Sequence, residues 1–240
     1  MRAILILLFA LYALPVQAQT LTDAQRREVL TLLRDTLKSD PSILREALKN
    51  LEVDDQRQQD AVSRTLIAKL GPKLVDPADP ISGNPLGDVT VVNFYDTRCP
   101  YCRRMLPVEA ELLRQDPGIR FVNKDIPILG NVSQLEAQAL LAAQKQGGYF
   151  KLQDVIMNGH APSTRDSIRA AADQLGLDGN RVLRDMDELP VKHRLAANVS
   201  LAGQLGIQGT PALIIGQHLI SGATELADLQ KIVAEVRAGR

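Results

Sequence analysis

The chain has no tryptophan and only four tyrosines and four phenylalanines among its 240 residues. Its core must therefore be built on Leu, Ile, Val and Ala. There are only two cysteines, and the three histidines, His160, His193 and His218, show no paired metal-ligand spacing. A four-ligand zinc site is left short of donors, so no metal and no cofactor is expected. Charge of one sign is not in excess: 28 Lys and Arg balance 28 Asp and Glu, without a long basic run. That balance lacks the electrostatic footprint of a nucleic-acid binder. A long hydrophobic run is absent too. The stretch at residues 3–14 is about a dozen residues, short of the roughly 20 that span a bilayer.

What is present is concentrated in one tetrapeptide. Both cysteines lie in Cys99-Pro100-Tyr101-Cys102. The preceding run Val89-Thr90-Val91-Val92-Asn93-Phe94-Tyr95 is β-branched and aromatic, as a buried strand requires. Asp96-Thr97-Arg98 turns, which puts Cys99 at the N-cap of a helix with Cys102 in its first turn. Unpaired amide N–H groups at a helix start favour a thiolate at Cys99, with support from Arg98, Arg103 and Arg104. Cys102 is then the resolving thiol. A purely structural disulfide over so short a span would remove little unfolded-chain entropy. The pattern reads as a dithiol redox site, with half of a zinc site as the competing reading.

The N-terminus reads as a secretory signal peptide over residues 1–18. Arg2 precedes the apolar stretch, and Pro15-Val16-Gln17-Ala18 offers a small-residue cleavage site. Export would place the dithiol in an oxidising compartment, the periplasm. Residues 19–70 read as an N-terminal helical segment. Thr22-Asp23-Ala24-Gln25 is a capping box ahead of Val29, Leu30, Leu33 and Leu37. Ser39-Asp40-Pro41 stops one helix and starts the next, which carries Leu44, Leu48 and Leu51. Asp55 and Gln58 fall on the apolar seam before Val62 and Leu66 resume it, so a hinge or exposed connector is expected there. Two readings of this segment stand: packing back on the main domain, or a homo-oligomerisation stalk.

Residues 71–87 carry Pro72, Pro77, Pro80 and Pro85 and are expected to form a Pro/Gly linker without regular structure. From residue 88 to 240 the pattern is a strand, the Cys99 helix containing Pro107, and a strand at 119–124. Helical stretches follow at 132–145, 149–157, 163–175, 180–186 and 189–205. A hairpin about Gly216-Gln217 and a helix at 226–236 close the chain.

The strand, the Cys-Pro-Tyr-Cys helix with Pro107, and the late Gly209-Thr210-Pro211 before a hairpin resemble the thioredoxin superfamily. The helical block at about residues 128–204 makes the chain similar to the DsbA family of thiol–disulfide oxidoreductases. Phe94-Tyr95-Asp96, Asp125-Ile126-Pro127-Ile128-Leu129-Gly130 and Ala142-Ala143-Gln144 strengthen the match. With its N-terminal helices the chain most resembles the ScsC/Com1-like branch. The resemblance implies an α/β protein: a thioredoxin fold with an inserted helical block, preceded by an N-terminal α-helical segment.

It also implies a cis peptide bond at Thr210-Pro211 facing the cysteines, with Thr210 available to pair with an extended client and Pro100-Tyr101 tuning the potential. The implied work is disulfide exchange with secreted protein clients, by oxidation or isomerisation, served by a DsbB-like or DsbD-like membrane redox partner. A redox-independent chaperone that binds misfolded clients is the alternative. One departure stands out. Many thioredoxin-like proteins carry a buried acid six residues before the first cysteine, and this chain has Asn93. Lys124 and Asp125 on the next strand are the candidate substitutes, with a solvated strand end as the competing reading.

Overall fold

The computed structural model describes residues 21–159 and 163–239. The leader read at residues 1–18 lies outside the described residues, as does His160. The chain divides into two compact units, Met1–Asp55 and Gln56–Arg240.

In the first unit, α1 (Asp23–Ser39) starts at the expected capping box. The Gln25 amide donates to Thr22 Oγ1 at 3.3 Å, and the Thr22 amide donates to Gln25 Oε1 at 3.0 Å. Two of the four amides that a helix start leaves unpaired are thereby satisfied. α2 (Ser42–Leu74) follows directly after Pro41. No residue of α1 is buried. Val29, Leu30 and Leu33, and in α2 Leu44, Leu48 and Leu51, all stand exposed. The expected connector near Asp55 and Gln58 is exposed, but it is helix, not a break.

The second unit is built on a five-stranded sheet in the order β1-β3-β2-β4-β5. The strands are β1 (Ile81–Gly83), β2 (Val89–Tyr95), β3 (Ile119–Asp125), β4 (Ala212–Ile215) and β5 (His218–Ser221). β2 runs parallel to β3, with Asn93 opposite Asn123 and Tyr95 opposite Asp125. The other pairings are antiparallel. Between β2 and β3 lies α3 (Pro100–Gln115), and α9 (Leu226–Ala238) ends the chain. The inserted block is α4 (Asn131–Gln144), α5 (Tyr149–Asn158), α6 (Arg165–Gln174), α7 (Gly179–Asp185) and α8 (Leu189–Gln204). Gly216 closes the β4–β5 hairpin at φ 59°, a conformation that favours glycine.

Strand alternation distributes the core. Val89 and Val91 of β2 and Phe121 of β3 pack with Met105 and Leu112 of α3 and Leu229 and Val233 of α9. Val92, Phe94 and Val122 point to the other face, against Leu201 and Leu205. A third cluster joins Tyr95, Cys99 and Cys102 to α4, α5 and α8. The helical block thus packs directly behind the cysteines.

The Pro/Gly linker expected at residues 71–87 is corrected in two places. α2 continues through Gly71 and Pro72 to Leu74, and Ile81–Gly83 pairs with β3 as an edge strand. Pro72 lies in the last turn, where the one backbone bond it removes is that back to the Ala68 carbonyl. Ile67, Leu70 and Leu74 are core residues of the second unit.

Lys124 faces away from α3, and its ammonium meets the Asp79 carboxylate at 2.6 Å; their side chains are 3% and 2% exposed. Removing one partner strands the other charge in the interior. Asp79→Ala should therefore lower stability by about 3–5 kcal/mol in urea denaturation. The double variant Asp79→Leu with Lys124→Met should recover most of that loss.

Candidate active site

The parallel β2–β3 pair delivers two chain segments to one end of the sheet. β2 ends at Tyr95, and Asp96 starts the turn into α3. The Asp96 carboxylate is buried and fully used: Oδ1 accepts the Arg98 amide at 2.8 Å, and Oδ2 accepts the Ile128 and Leu129 amides at 2.8 and 3.0 Å. Its carbonyl accepts the Cys99 amide at 3.1 Å. One side chain thus joins the turn before Cys99 to the loop that follows β3.

Cys99 is the N-cap of α3, with Pro100 in the first turn, where a missing amide costs nothing. Both cysteines are free thiols and both are buried. The Cys99 thiol donates to the Thr210 carbonyl at 3.1 Å, and the Thr210-Pro211 bond is cis. Cys102, one turn into the helix, is pushed far above the ordinary thiol range by burial, against the lowering influence of the Asp96 backbone and Thr210. The two sulfurs share one buried cluster but differ in setting: Cys99 is the N-cap residue against Thr210, and Cys102 lies inside the first turn.

Tyr101 is 52% exposed, and the Arg104 guanidinium stacks over its ring at 4.5 Å. Ile128 and Leu129, held by Asp96, are also exposed, at 45% and 52%. The structure brings Cys99, Cys102 and Thr210 together, with Pro100, Tyr101 and Pro211 beside them in the chain. The arginines are engaged elsewhere. Arg103 donates to the Thr97 and Gly159 carbonyls at 3.1 and 2.7 Å, and Arg98 lies 3.8 Å from Glu136. Glu136 is buried and also accepts from Thr97 Oγ1 and Ser163 Oγ, each at 2.7 Å. It ties the active-site turn to α4.

Neither Lys124 nor Asp125 is a solvated strand end; both are buried. Asp125 faces the α3 side, where Tyr149 donates to its Oδ2 at 2.8 Å and shares a 2.6 Å hydrogen bond with Tyr95. Burial raises the Asp125 carboxyl to about 7, against the lowering effect of the two tyrosines. Burial also raises both tyrosines well above their ordinary value, helped by the nearby Asp125 charge.

The residue that sequence reasoning missed is Glu109. Asn93 Nδ2 donates to its Oε1 at 3.1 Å and lies 3.4 Å from Asn123 Oδ1. Burial pushes the Glu109 carboxyl up to about 8. A signal was available: 102, 105, 109 and 112 are spaced as one helix face, and Cys102, Met105 and Leu112 are its buried members.

Residues 90–234 match the family described as the DSBA-like thioredoxin domain. The chain belongs to that family. A thioredoxin-like oxidoreductase from Silicibacter pomeroyi is 38% identical, with a TM-score of 0.66 over 69% of this chain and 95% of that one. A linker-deletion mutant of Proteus mirabilis ScsC is 30% identical, with a TM-score of 0.68 over 93% and 100%. The thiol-disulfide exchange protein alpha-DsbA2 from Wolbachia pipientis is 28% identical, with a TM-score of 0.69 over 75% and 98%. The chain spans about a quarter of the length of the curated relatives it matches, Na(+)/H(+) antiporters; for the Salinispora arenicola protein the share is 26%. The fold is thus that of the DSBA-like thioredoxin domain, and the solved structures it resembles include a thioredoxin-like oxidoreductase and a thiol-disulfide exchange protein.

The raised Asp125 value has a definite sign for stability. Between the ordinary 3.8 and about 7, the unfolded chain has lost a proton that the folded carboxyl keeps. The Asp125 contribution to stability must then fall as pH rises across that interval and level off above it, while Glu109, raised to about 8, adds a decline of the same sign. Asp125→Asn should remove the Asp125 part of the decline, seen as a flatter plot of urea midpoint against pH.

Proposed function

We propose that the protein is exported by a leader at residues 1–18 and exchanges disulfides with secreted protein clients through Cys99 and Cys102. The observation that carries this reading is the pairing of unlike thiols. Cys99, at the N-cap position of α3, donates to the Thr210 carbonyl, and Cys102 lies one turn later with its thiol raised by burial.

In the oxidative direction a client thiolate attacks Cys99 Sγ of the Cys99–Cys102 disulfide. The sulfur–sulfur bond breaks, its electron pair leaves on Cys102, and a client–Cys99 mixed disulfide forms. A second client thiolate then attacks the client sulfur of that bond and releases Cys99 as a thiolate. The client is oxidised by two electrons and the protein is reduced by two. In isomerisation, reduced Cys99 attacks a wrong client disulfide, the client reshuffles, and Cys102 rescues trapped intermediates. Thr210 and Pro211 form the ledge for an extended client segment, and Pro100 and Tyr101 set the surroundings of the attacking sulfur. A DsbB-like or DsbD-like membrane protein resets the pair.

Exposed Tyr101, Ile128 and Leu129 supply apolar contact for unfolded clients beside the cysteines. Among the described residues no helix is long and apolar enough to cross a membrane.

Cys99→Ala should reduce disulfide exchange with a scrambled client to the uncatalysed background, and Cys102→Ala should accumulate a Cys99–client mixed disulfide visible by intact mass. Full suppression of client aggregation by Cys99→Ala, with no exchange lost, supports the redox-independent chaperone instead. The steady-state redox form in the exporting cell, read by acid quench and thiol tagging, sets the direction. A mostly oxidised pair means disulfide donation; a mostly reduced pair means isomerisation or reduction.

The segment at residues 19–70 is assigned to homo-oligomerisation. Its support is the exposed row Val29, Leu30 and Leu33, because a lone 17-residue helix with no buried side chain is marginal in water. Leu30→Asp with Leu33→Asp should lower the mass in sedimentation to that of one chain, while glutathione exchange at Cys99 stays unchanged. An unaltered mass assigns this segment another role.

A further inference from the structure

Cys102 poses a proton problem. Its burial holds the sulfur as a thiol, yet it must become a thiolate to displace a client from Cys99. The position before Cys99 where an internal acid is expected is Asn93, which cannot accept that proton.

Glu109 meets the requirement by position. It lies on the inward stripe of the helix that carries both cysteines, seven residues after Cys102. Its carboxyl receives the Asn93 amide, and burial alone is what raises it. Residues seven apart are separated by about 10.5 Å of helix rise, and a helical glutamate leans back toward the N-terminus, here toward Cys102. The buried Oδ1 of Asn93 has no hydrogen-bond partner. An unpaired buried acceptor of this kind is a seat for a relaying water.

Few other charged groups face Glu109. Asn93 and Asn123, from β2 and β3, are neutral. Tyr95 and Asp125 occupy the next positions along the same sheet face, and their contacts run to Tyr149. From α9 the inward residues Leu229 and Val233 are apolar, and Arg237 is bound to Asp88 and Asp116. Leu213 and Ile215 of β4 are apolar. On α3 itself Arg103 is turned to the Thr97 and Gly159 carbonyls, and Arg114 to Glu111.

We propose that Glu109, through a water seated on Asn93 Oδ1, accepts the Cys102 proton when the mixed disulfide is resolved and returns it when Cys102 leaves in the reverse direction. The step balances. The Cys102 thiol gives its proton to the Glu109 carboxylate, and the thiolate attacks Cys99 Sγ. The Cys99–client bond breaks with its electron pair leaving on the client sulfur, which takes a proton from solvent. The Cys99–Cys102 disulfide forms, so the protein is oxidised and the client reduced. The proposal rests on the exchange reading above and names the group that serves its second step.

The test follows the full-length reduced protein reacting with glutathione disulfide by rapid acid quench and mass analysis, which separates Cys99 attack from Cys102 resolution. In the wild type, resolution should accelerate as pH rises through about 8, where Glu109 ionises. Glu109→Gln should leave Cys99 attack unchanged, slow resolution about tenfold or more at neutral pH, and erase that inflection. Glu109→Asp should keep part of the inflection, and Asn93→Leu, which breaks the relay but spares the carboxyl, should also slow resolution. A wild-type resolution rate and pH profile in either Glu109→Gln or Asn93→Leu overturns the proposal. So does an inflection lost in Asp125→Asn but kept in Glu109→Gln. If wild-type protein forms no mixed disulfide at Cys99, the exchange reading itself fails, an outcome distinct from slow resolution.

Discussion

The Asp96 carboxylate receives three backbone amides, from Arg98 on one side and from Ile128 and Leu129 on the other, and its own carbonyl holds the Cys99 amide. The acceptor itself is buried, so these bonds meet less competition from bulk water than surface ones do. The turn that presents Cys99 is therefore fixed to the loop after β3, not left to its own torsional preferences. That loop leads into α4, and Glu136 of α4 reaches back to Thr97 and Arg98. Two carboxylates couple the helical block to the thioredoxin-like sheet at the turn that presents Cys99.

Buried polarity is not spread evenly through the second unit. Asn93, Asp96, Thr97, Asn123, Lys124, Asp125, Ser133 and Glu136 are all buried, and all lie on the C-terminal halves of β2 and β3 or on the segments that follow them. The opposite halves of the same strands hold Val89, Val91, Ile119 and Phe121. The sheet is thus an apolar platform at one end and a polar chamber at the other. Desolvating polar groups costs free energy unless they are paired; most atoms of this set are hydrogen-bonded, while Asn93 Oδ1, Asp125 Oδ1 and Ser133 Oγ are not. Burial raises two carboxyls at this end, Asp125 on β3 and Glu109 of α3, which meets the sheet through Asn93.

Much of this was legible from local chemistry. The β-branched run ending at Tyr95, the turn through Asp96 and the proline after Cys99 mark β2 and the start of α3 without reference to anything distant. The helices of the inserted block have apolar faces and glycine or proline punctuation, and their bounds follow the pattern to within a few residues. The segment from Gly71 to Gly87 did not yield to the same reasoning. Three-residue β1 is too short to show an alternation, and its pairing depends on β3, almost forty residues away. Pro72 reads as a breaker, whereas packing of Ile67, Leu70 and Leu74 holds the final turns of α2 in place. Glu109 was hidden for a related reason. A glutamate in an amphipathic helix reads as solvent-facing, and only the neighbouring strand's Asn93 reveals that it points inward. Lys124 and Asp125, adjacent in sequence, separate to opposite faces of β3, so one joins Asp79 and the other the two tyrosines.

The enclosure of Cys102 has a consequence for how the protein responds to its medium. Dissolved ions screen charges at the surface over about 10 Å at 0.1 M salt, but they do not enter a packed interior. A thiol held by burial instead of by a surface counter-charge keeps its surroundings when ionic strength changes. In this fold Cys102 takes its character from the dielectric of the core, and that is a property the environment cannot dilute.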